Sequence, residues 1–339
     1  MLPKTVALLP CLVVILANMA SAAEPMKPVK VFILAGQSNM EGQAVVDLDG
    51  KDYNQGKGTL KAVLNDPAKA PLFEHLRTKS GKWTIREDVW ARYKREKQPL
   101  LAGPLSVGFA VYGGTHHFGP ELQFGHVVGN RFKEQVLLIK TAWGGKSLYK
   151  DFRPPSSGGT VGPYYTKMIA DVREALASLK TDFPSYAEQG HDLAGFVWYQ
   201  GWNDGVDPKK AIPEYEQNLV NLIKDVRKEF HAPKLPVVIG ELTGPWVKAP
   251  GEWATLRKAQ AAAANRPEFR GNVLFVPTHD FVRPAKESPN PTHGHHEFGN
   301  AETYFLVGDA LGKGMLKLQR ENATKPALVN PGYERGADD

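Results

Sequence analysis

The sequence predicts a three-layer α/β/α fold built around one parallel, five-stranded sheet. Five short segments are apolar almost throughout instead of alternating with polar residues, which is typical of parallel strands covered on both faces. Helical periodicity fills the stretches between them, and this alternation of strand and helix predicts right-handed crossovers. At 339 residues, of which 42% are hydrophobic, the chain is long and apolar enough to bury such a core.

Each predicted strand is a short apolar run bounded by turn residues. The five runs are "VKVFILAG" (29–36), "QVLLIKTAWGG" (135–145), "LAGFVWYQG" (193–201), "PVVIGEL" (236–242) and "NVLFVPTHD" (272–280). Between and after them, the spacing of apolar residues predicts helices over residues 164–179, 214–230, 252–266 and 300–320. Because ligands bind beyond the carboxyl ends of parallel strands, we expect the chemistry at that edge of the sheet.

The first 23 residues resemble a secretory signal peptide. Lys4 precedes an apolar stretch over residues 6–17, and small residues stand before Glu24. We expect cleavage there and a secreted or periplasmic protein, with an uncleaved anchor as the alternative. Cys11, the only cysteine, would leave with the signal. The mature chain would then have no disulfide, no thiol nucleophile and no thiolate metal site.

One domain is predicted over residues 24–320. Residues 44–120 lack helical periodicity and are rich in Gly, Lys and Pro, so we expect an insertion of loops and short strands above the sheet. Residues 321–339 are polar and are predicted to be disordered. The net charge of +6 is scattered, which favours a solvated surface over nucleic-acid binding. We expect no membrane contact after signal cleavage, and the sequence carries no signal of oligomeric state.

Ser38 directly follows the first predicted strand and is the first candidate for chemistry. Ser38-Asn39-Met40-Glu41 also fits the S-x-x-E capping box, so this serine could instead cap a helix. A serine nucleophile needs a base and donors that hold the oxyanion. Two other strand ends offer such donors, the backbone N–H of Gly145 and the side-chain amide of Asn203, beside the Ser38 N–H itself.

These residues, in this order, resemble the SGNH hydrolase superfamily. Within it, "FILAGQSNMEG", "GPELQFG", "TAWGGKSL", "WYQGWND" and "NAETYFLVGDALGKGM" resemble the sialate O-acetylesterase-like and acetylxylan esterase-like carbohydrate esterases. The resemblance implies a flavodoxin-like fold and hydrolysis of O-acetyl esters on sugars with no metal and no cofactor. By position it implies Ser38 as the nucleophile, Gly145 and Asn203 in the oxyanion hole, and a late histidine as the base. His296 is best placed for that role, and His295 is second.

The carboxylate behind the base departs from the superfamily pattern. A D-x-x-H block would place an acid three residues before the base, and His293 stands there. Asp280 is one candidate for orienting the imidazole, and a backbone carbonyl is the alternative. For the substrate, the candidates are Gln37, Gln200 and Glu121. The two glutamines could instead connect loops, and the glutamate could cap a helix.

Two other functions are compatible with parts of the sequence. The missing D-x-x-H acid suits a non-catalytic carbohydrate-binding member of the fold. A histidine-rich stretch suits a zinc-dependent hydrolase, although its spacing matches no familiar ligand pattern; its residues, with an earlier histidine, are His279, His293, His295, His296 and Glu297. Tryptophans near strand ends or in the insertion could stack on sugars or pack in the core: Trp83, Trp90, Trp143, Trp202 and Trp246.

Overall fold

The computed structural model describes residues 27–244 and 251–324. The predicted signal peptide, Cys11, Trp246 and most of the predicted tail lie outside the described residues. The strands are β1 (Val29–Gly36), β2 (Ala44–Val45), β3 (Arg86–Tyr93), β4 (Leu101–Leu105), β5 (His117–Phe118), β6 (Val136–Ala142), β7 (His191–Tyr199), β8 (Val237–Gly240) and β9 (Val273–Val276). The α-helices are α1 (Ser38–Glu41), α2 (Leu60–Leu64), α3 (Ala70–Phe73), α4 (Glu121–Gly129), α5 (Pro163–Ala177), α6 (Leu179–Asp182), α7 (Trp202–Val206), α8 (Ile212–Glu229), α9 (Gly251–Ala264) and α10 (Ala301–Thr324).

The central sheet has the strand order β4-β3-β6-β1-β7-β8-β9. The five predicted strands are β1, β6, β7, β8 and β9, and each pairs in parallel with its neighbours. Numbered among themselves they run 2-1-3-4-5, which is the flavodoxin-like order. The predicted α/β/α fold class is therefore confirmed, but the strand count of five was wrong.

Two further strands of the sheet come from the insertion. β3 pairs in parallel with β6, and β4 pairs antiparallel with β3 at the sheet edge. Their sequences are not continuously apolar, because β3 begins with charged, exposed residues and β4 keeps only its last residue buried. β4 is the edge strand, and β3 pairs with β6 only from Val89 onward, so neither strand needs to be apolar throughout. A search for fully apolar runs therefore misses them.

Helices cover both faces of the sheet and form two hydrophobic cores. Along β1 the side chains alternate, with Val31 and Ile33 in one core and Phe32 and Leu34 in the other. Residues of α5, α8 and α9 complete the first core, and residues of α2, α4 and α10 complete the second. The apolar runs of the sequence thus reflect burial on both sides.

Local sequence explains where the long helices begin and end. Pro163 opens α5 and Pro213 stands in the first turn of α8, where a missing N–H costs no intrahelical bond. The last helix, α10, runs to Thr324, so the first residues of the predicted disordered tail are helical. Over residues 27–244 and 251–324, no helix is both long and apolar enough to cross a membrane.

Candidate active site

The turns after β1, β6 and β7 lie side by side because these three strands end level. Gly36, the last residue of β1, pairs with Ala142 of β6 on one side and with Tyr199 of β7 on the other. Ser38, Gly144 and Gly201 each stand two residues beyond these ends. In a flavodoxin-like sheet, the crevice between β1 and its neighbour across the reversal of strand order is where ligands bind. The candidate residues converge at that crevice.

Ser38 is the first residue of the short helix α1, and it does not cap it. The N-cap is Gln37, without a side-chain capping bond, so the capping interpretation of Ser38 was wrong. The turn requires Gly36, because a Cβ on that residue would lie 2.1 Å from the carbonyl oxygen of Tyr199. This close approach brings the serine against the end of β7. The Ser38 side chain is buried at the base of the crevice, with 7% of its surface exposed.

Gly144 packs against Ser38, and the next residue, Gly145, is bonded to Asn203. A methyl group built on Gly144 would lie 3.7 Å from Ser38 Cβ. Gly145 has a φ of 71°, in the left-handed region that favours glycine. Asn203 Nδ2 donates to the carbonyl oxygen of Gly145 at 2.6 Å. An amide nitrogen carries two hydrogens, so the second can still donate to an oxyanion at Ser38.

Gln37 and Gln200 hold the three turns together instead of lining the crevice. Gln37 Oε1 accepts from the backbone N–H of Gly201 at 3.1 Å and from that of Asn203 at 3.3 Å. Gln200 Nε2 donates to the carbonyl of Lys146 at 3.0 Å. Both side chains are at most 2% exposed. The prediction that they bind substrate is therefore contradicted, and their loop-connecting alternative describes the structure.

Asp204 is a buried link that the sequence did not assign. Its two carboxylate oxygens accept from the backbone N–H groups of Leu148 and Tyr149, each at 2.9 Å. Gln200 Nε2 donates to it as well, at 2.6 Å. The carboxylate thus fixes the turn after β6 against the turn after β7. Since these turns carry Gly145 and Asn203, Asp204 holds the two expected oxyanion donors in one place.

Glu41 occupies the other side of the Gly144 turn. The backbone N–H of Gly144 donates to its carboxylate, and Tyr93 Oη donates to Glu41 Oε1 at 2.7 Å. Burial raises the pKa of Glu41, although Tyr93, Lys140 and Gly144 oppose the rise. The capping-box glutamate of the sequence therefore anchors the turn that carries Gly145.

Glu121 is not in the pocket. Its carboxylate is fully buried, pairs with Lys140 Nζ at 2.7 Å and accepts from the N–H of Gly119 at 2.9 Å. Lys140 Nζ also donates to the carbonyl of Glu41 at 2.7 Å. The predicted contact of Glu121 with substrate is contradicted, because the ion pair forms part of the support beneath α1. A strand lysine in an apolar run was the overlooked signal for this pair.

His296 lies in an irregular 3-10 segment, residues 294–299, that packs on α1. Asn39 Nδ2 donates to Glu297 Oε1 at 3.1 Å, so the neighbour of the serine is bonded to the neighbour of the histidine. Tyr304 Oη, which lies 2.7 Å from Asn39 Oδ1, is also 3.2 Å from the carbonyl of His296. This network fixes the histidine segment against the Ser38 turn.

The electrostatics around His296 keep its ring neutral. Burial, with smaller contributions from His295 and His293, lowers the pKa of His296 from its ordinary 6.5 to about 3. Throughout the described chain, neither the His296 ring nor the Ser38 hydroxyl has a hydrogen-bond partner. A neutral imidazole has a free lone pair and can accept a proton, although the lowered pKa makes it a weaker base than an ordinary imidazole.

Glu297 is a buried carboxyl whose role the sequence did not reveal. Its Oε1 accepts from Asn39 and, at 2.9 Å, from the N–H of Gly244. Its Oε2 has no hydrogen-bond partner among the residues described. Burial raises the pKa of Glu297 to about 8, so the group is largely protonated at neutral pH. It serves as a neutral anchor of the histidine segment.

Asp280 does not stand behind His296. Its side chain is 78% exposed, and the imidazole that it faces is His279, with Oδ1 3.5 Å from Nε2. Glu241 holds the other side of that ring, with Oε2 2.6 Å from His279 Nδ1. The prediction that Asp280 orients the base is contradicted. A carboxylate–imidazole pair does exist, Glu241–His279, but it follows β8 and β9, away from the end of β1.

The structure therefore unites part of the predicted site. Ser38, Gly145 and Asn203 follow three strand ends that lie level, Asn203 is bonded to Gly145, and His296 lies on a segment bonded to α1. The other four predicted residues make contacts outside the proposed site; they are Gln37, Gln200, Glu121 and Asp280. Over the described ranges, no three His, Cys, Asp or Glu side chains come together as a metal ion would require. Of the five tryptophans considered, Trp143 is in the core, Trp90 packs on Phe183, and Trp202 lies beside Asn203.

Comparison with known proteins agrees with this geometry. The family described as "Carbohydrate esterase, sialic acid-specific acetylesterase" matches residues 28–304 of the chain. A probable carbohydrate esterase of Arabidopsis thaliana is 27% identical over 221 residues, which cover 63% of this chain and 69% of that protein. The range matched by the family, residues 28–304, includes Ser38, Gly145, Asn203 and His296.

Two solved structures extend the comparison. The crystal structure of the Arabidopsis protein superposes with a TM-score of 0.54 at 18% identity, covering 85% of this chain and 98% of that one. At this identity the likeness shows a shared fold. A carbohydrate acetylesterase from Xanthomonas citri has a TM-score of 0.47 at 15% identity, over 84% of this chain and 56% of that chain.

Proposed function

The chain belongs to the sialic acid-specific acetylesterase family of carbohydrate esterases, and from that premise we propose that it removes O-acetyl groups from sugars with Ser38 as nucleophile. The observation that carries this proposal is the convergence of Ser38, Gly145 and Asn203 beyond three level strand ends. A serine beside two independent N–H donors is what acyl transfer requires. A carbohydrate-binding protein without catalysis would need no such arrangement.

In the first half of the proposed reaction, the acetyl group moves from the sugar to Ser38. Ser38 Oγ forms a bond with the carbonyl carbon while His296 takes the hydroxyl proton. The oxyanion receives hydrogen bonds from the N–H groups of Ser38 and Gly145 and from the free hydrogen of Asn203 Nδ2. When the intermediate collapses, the bond to the sugar oxygen breaks, and that oxygen takes the proton from His296.

The second half returns the enzyme to its starting state. A water molecule attacks the carbonyl carbon of acetyl-Ser38 and gives its proton to His296. The same three donors hold the second oxyanion. The bond to Ser38 Oγ then breaks, the serine recovers its proton from His296, and acetic acid is released and ionises. Atoms and protons balance without an added cofactor.

His279 is the alternative to His296 as the base, because of these two histidines only His279 has a carboxylate partner among the residues described. Its disadvantage is position. Adjacent strands are about 4.8 Å apart, and His279 follows β9, the third strand from β1. His296, in contrast, lies one residue from Glu297, which is bonded to Asn39 of α1. We therefore assign the base to His296, oriented by packing and not by an acid.

The test compares wild type, Ser38→Ala and Asn203→Ala on p-nitrophenyl acetate and on an acetylated glycoside. We expect Ser38→Ala to lose essentially all activity and Asn203→Ala to lose roughly 10²–10³ in kcat. Gln217→Ala, an exposed substitution on α8, serves as the control and should match wild type. Equal rates for wild type and Ser38→Ala would refute the assignment.

We also propose that the protein is exported. The support is the sequence of residues 1–23 alone, with its early cation and apolar stretch. Expression of the full chain and of a chain starting at residue 24, followed by cell fractionation, tests the idea. Protein should be found outside the cytoplasm only when the full chain is expressed, and that protein should be shortened by cleavage. Full-length protein retained in the cytoplasm would contradict the proposal.

A further inference from the structure

Four aromatic side chains form a continuous strip along one side of the crevice. This aromatic strip consists of Trp253, Trp202, His295 and His293. The ring centroids of Trp253 and Trp202 are 5.4 Å apart, those of Trp202 and His295 are 5.9 Å apart, and those of His295 and His293 are 5.7 Å apart. Trp202 and His295 are half-buried, so part of each ring is open to a ligand.

The strip joins the two sides of the proposed reaction. Trp202 immediately precedes Asn203, the expected oxyanion donor. His295 immediately precedes His296, and the centroids of these two rings are 4.1 Å apart. The contact between Trp202 and His295 therefore spans from the acyl side of the site to the base side.

The position of the sugar follows from the proton transfers. The acetyl carbonyl must lie at Ser38 and Asn203, and the leaving oxygen must reach His296 to be protonated. The sugar ring that carries this oxygen is then next to His296 and near His295 and Trp202, whose rings are inclined to each other by 51°. We propose that the aromatic strip binds the acetylated sugar ring, which stacks on Trp202 and contacts His295 at its edge. This inference rests on the function proposed above.

The platform is built into the fold and does not depend on chance exposure of one ring. Trp253 packs so closely on α7 that a Cβ on Gly205 would lie 2.8 Å from its Nε1. Trp202 and Trp253 both pack against the core beneath α8 and α9. Trp253 thus supports Trp202 from behind. A supported aromatic face presents its flat, apolar surface at low entropic cost to a ligand.

The strip suits an uncharged sugar. The imidazoles of His295 and His296 have lowered pKa values and are neutral. Among the residues described, two cations near site residues in the sequence, Lys146 and Arg257, contact other groups. Lys146 Nζ lies 4.2 Å from the ring centroid of Tyr164, and the buried Arg257 donates to the carbonyls of Leu242 and Gly244. We therefore propose a neutral acetylated pyranoside as the preferred substrate, in place of an acidic sugar.

The experiment measures kcat and KM on three acetates whose leaving groups differ: ethyl acetate, an acetylated methyl xyloside and O-acetyl sialic acid. The variants are Trp202→Ala, Trp202→Phe and, as the control, Trp83→Ala in the insertion. Trp202→Ala should raise KM for the xyloside roughly tenfold, while kcat/KM for ethyl acetate, which has no ring, changes less than about twofold. Trp202→Phe should recover most of the loss, and thermal melting checks that each variant is folded.

Each outcome bears on the strip separately from the proposed function. Wild type should prefer the xyloside to O-acetyl sialic acid; the reverse preference would overturn the neutral substrate. An equal loss on ethyl acetate and the xyloside would show that Trp202 only supports Asn203, and would overturn the platform. Activity that survives Ser38→Ala on all three esters would instead refute the proposed mechanism.

Discussion

The two halves of the candidate site are held in different ways. The nucleophile half consists of the turns after β1, β6 and β7 (residues 37–41, 144–149 and 200–204). It follows three paired strands that end level, and buried side chains cross-connect its turns. The base half consists of residues 294–300. It is irregular, and Glu297 and Phe298 have φ values of 50° and 56°, a region that is rare for residues other than glycine.

The two halves differ in what determines the positions of their residues. Strand register fixes the proposed nucleophile and its proposed oxyanion donors, so their geometry depends on the sheet. The base half depends on a few contacts instead, chiefly the bonds of Glu297 to Asn39 and Gly244. If this account is correct, the nucleophile half should tolerate little change in its turns, and the base half should be sensitive to the charge state of one buried carboxyl.

The largest expected effect breaks the base half. His296→Ala should lower kcat on p-nitrophenyl acetate by about 10³-fold, because a positioned general base contributes about 10²–10⁴. His279→Ala, which removes the imidazole paired with Glu241, should lower kcat less than about threefold. Asp280→Ala is the matched control for the exposed carboxylate and should leave kcat unchanged. A larger loss in His279→Ala than in His296→Ala would reverse the assignment.

A smaller effect tests the nucleophile half. Glu41→Gln keeps the shape of the side chain but replaces one carboxylate oxygen with a donor, which weakens its acceptance of the Gly144 N–H. We expect kcat to fall roughly tenfold to a hundredfold with little change in KM, since misplacing a catalytic donor by an ångström can cost about 10². Tyr93→Phe removes the 2.7 Å bond to Glu41 and the 3.1 Å bond to the carbonyl of Ala142, and its kcat should lie between those of wild type and Glu41→Gln. A change confined to KM would contradict a role at the oxyanion turn.

The pH dependence of activity depends on the base half and not on the nucleophile half. Because the pKa of His296 is lowered to about 3, the base remains neutral in mildly acidic solution. The acid limb of kcat/KM should therefore lie well below the value near 6.5 of an ordinary imidazole. Replacing His293 with Gln removes one neighbouring imidazole and should shift the limb upward slightly. An acid limb at the ordinary value would mean that a solvent-exposed histidine is the base.

The smallest effect is on stability and concerns Glu297. Its pKa is raised from 4.5 to about 8, so between these values the folded state binds a proton that the unfolded state has released. The free energy of unfolding should then fall as pH rises through this window, by up to about 1.4 kcal/mol per pH unit from this group. Glu297→Gln should flatten that slope in urea unfolding. An unchanged slope would show that the carboxyl is ionised in the folded protein.

How much could be predicted from sequence follows the same division. Continuous apolar runs revealed five parallel strands, and the residues after three of them gave Ser38, Gly145 and Asn203, because strand ends meet at one edge. The strands β3 and β4 were missed since only part of each is buried. Gln37 and Gln200 were placed at the correct edge but facing the wrong way, because sequence does not show whether an amide bonds to a loop or to a ligand.

The base half could be predicted from the sequence only in part. The position of His296 followed from a resemblance, but no periodic pattern predicts an irregular segment with two left-handed residues. Asp280 was expected behind the base because it ends the last strand. In the structure, the neighbour of Asp280, His279, is hydrogen-bonded to Glu241 instead. These two residues are 38 positions apart in the sequence. Only the folded chain shows that, among the residues described, the proposed base His296 has no carboxylate partner.

The most direct test of the central claim is reaction of the whole protein with a fluorophosphonate, followed by peptide mapping. The account predicts a single label on Ser38 in the wild type. His296→Ala should slow labelling by roughly 10² or more, since the serine then has no base, whereas His279→Ala should label at the rate of the wild type. Labelling of another residue, or a loss of labelling in His279→Ala but not in His296→Ala, would contradict the account.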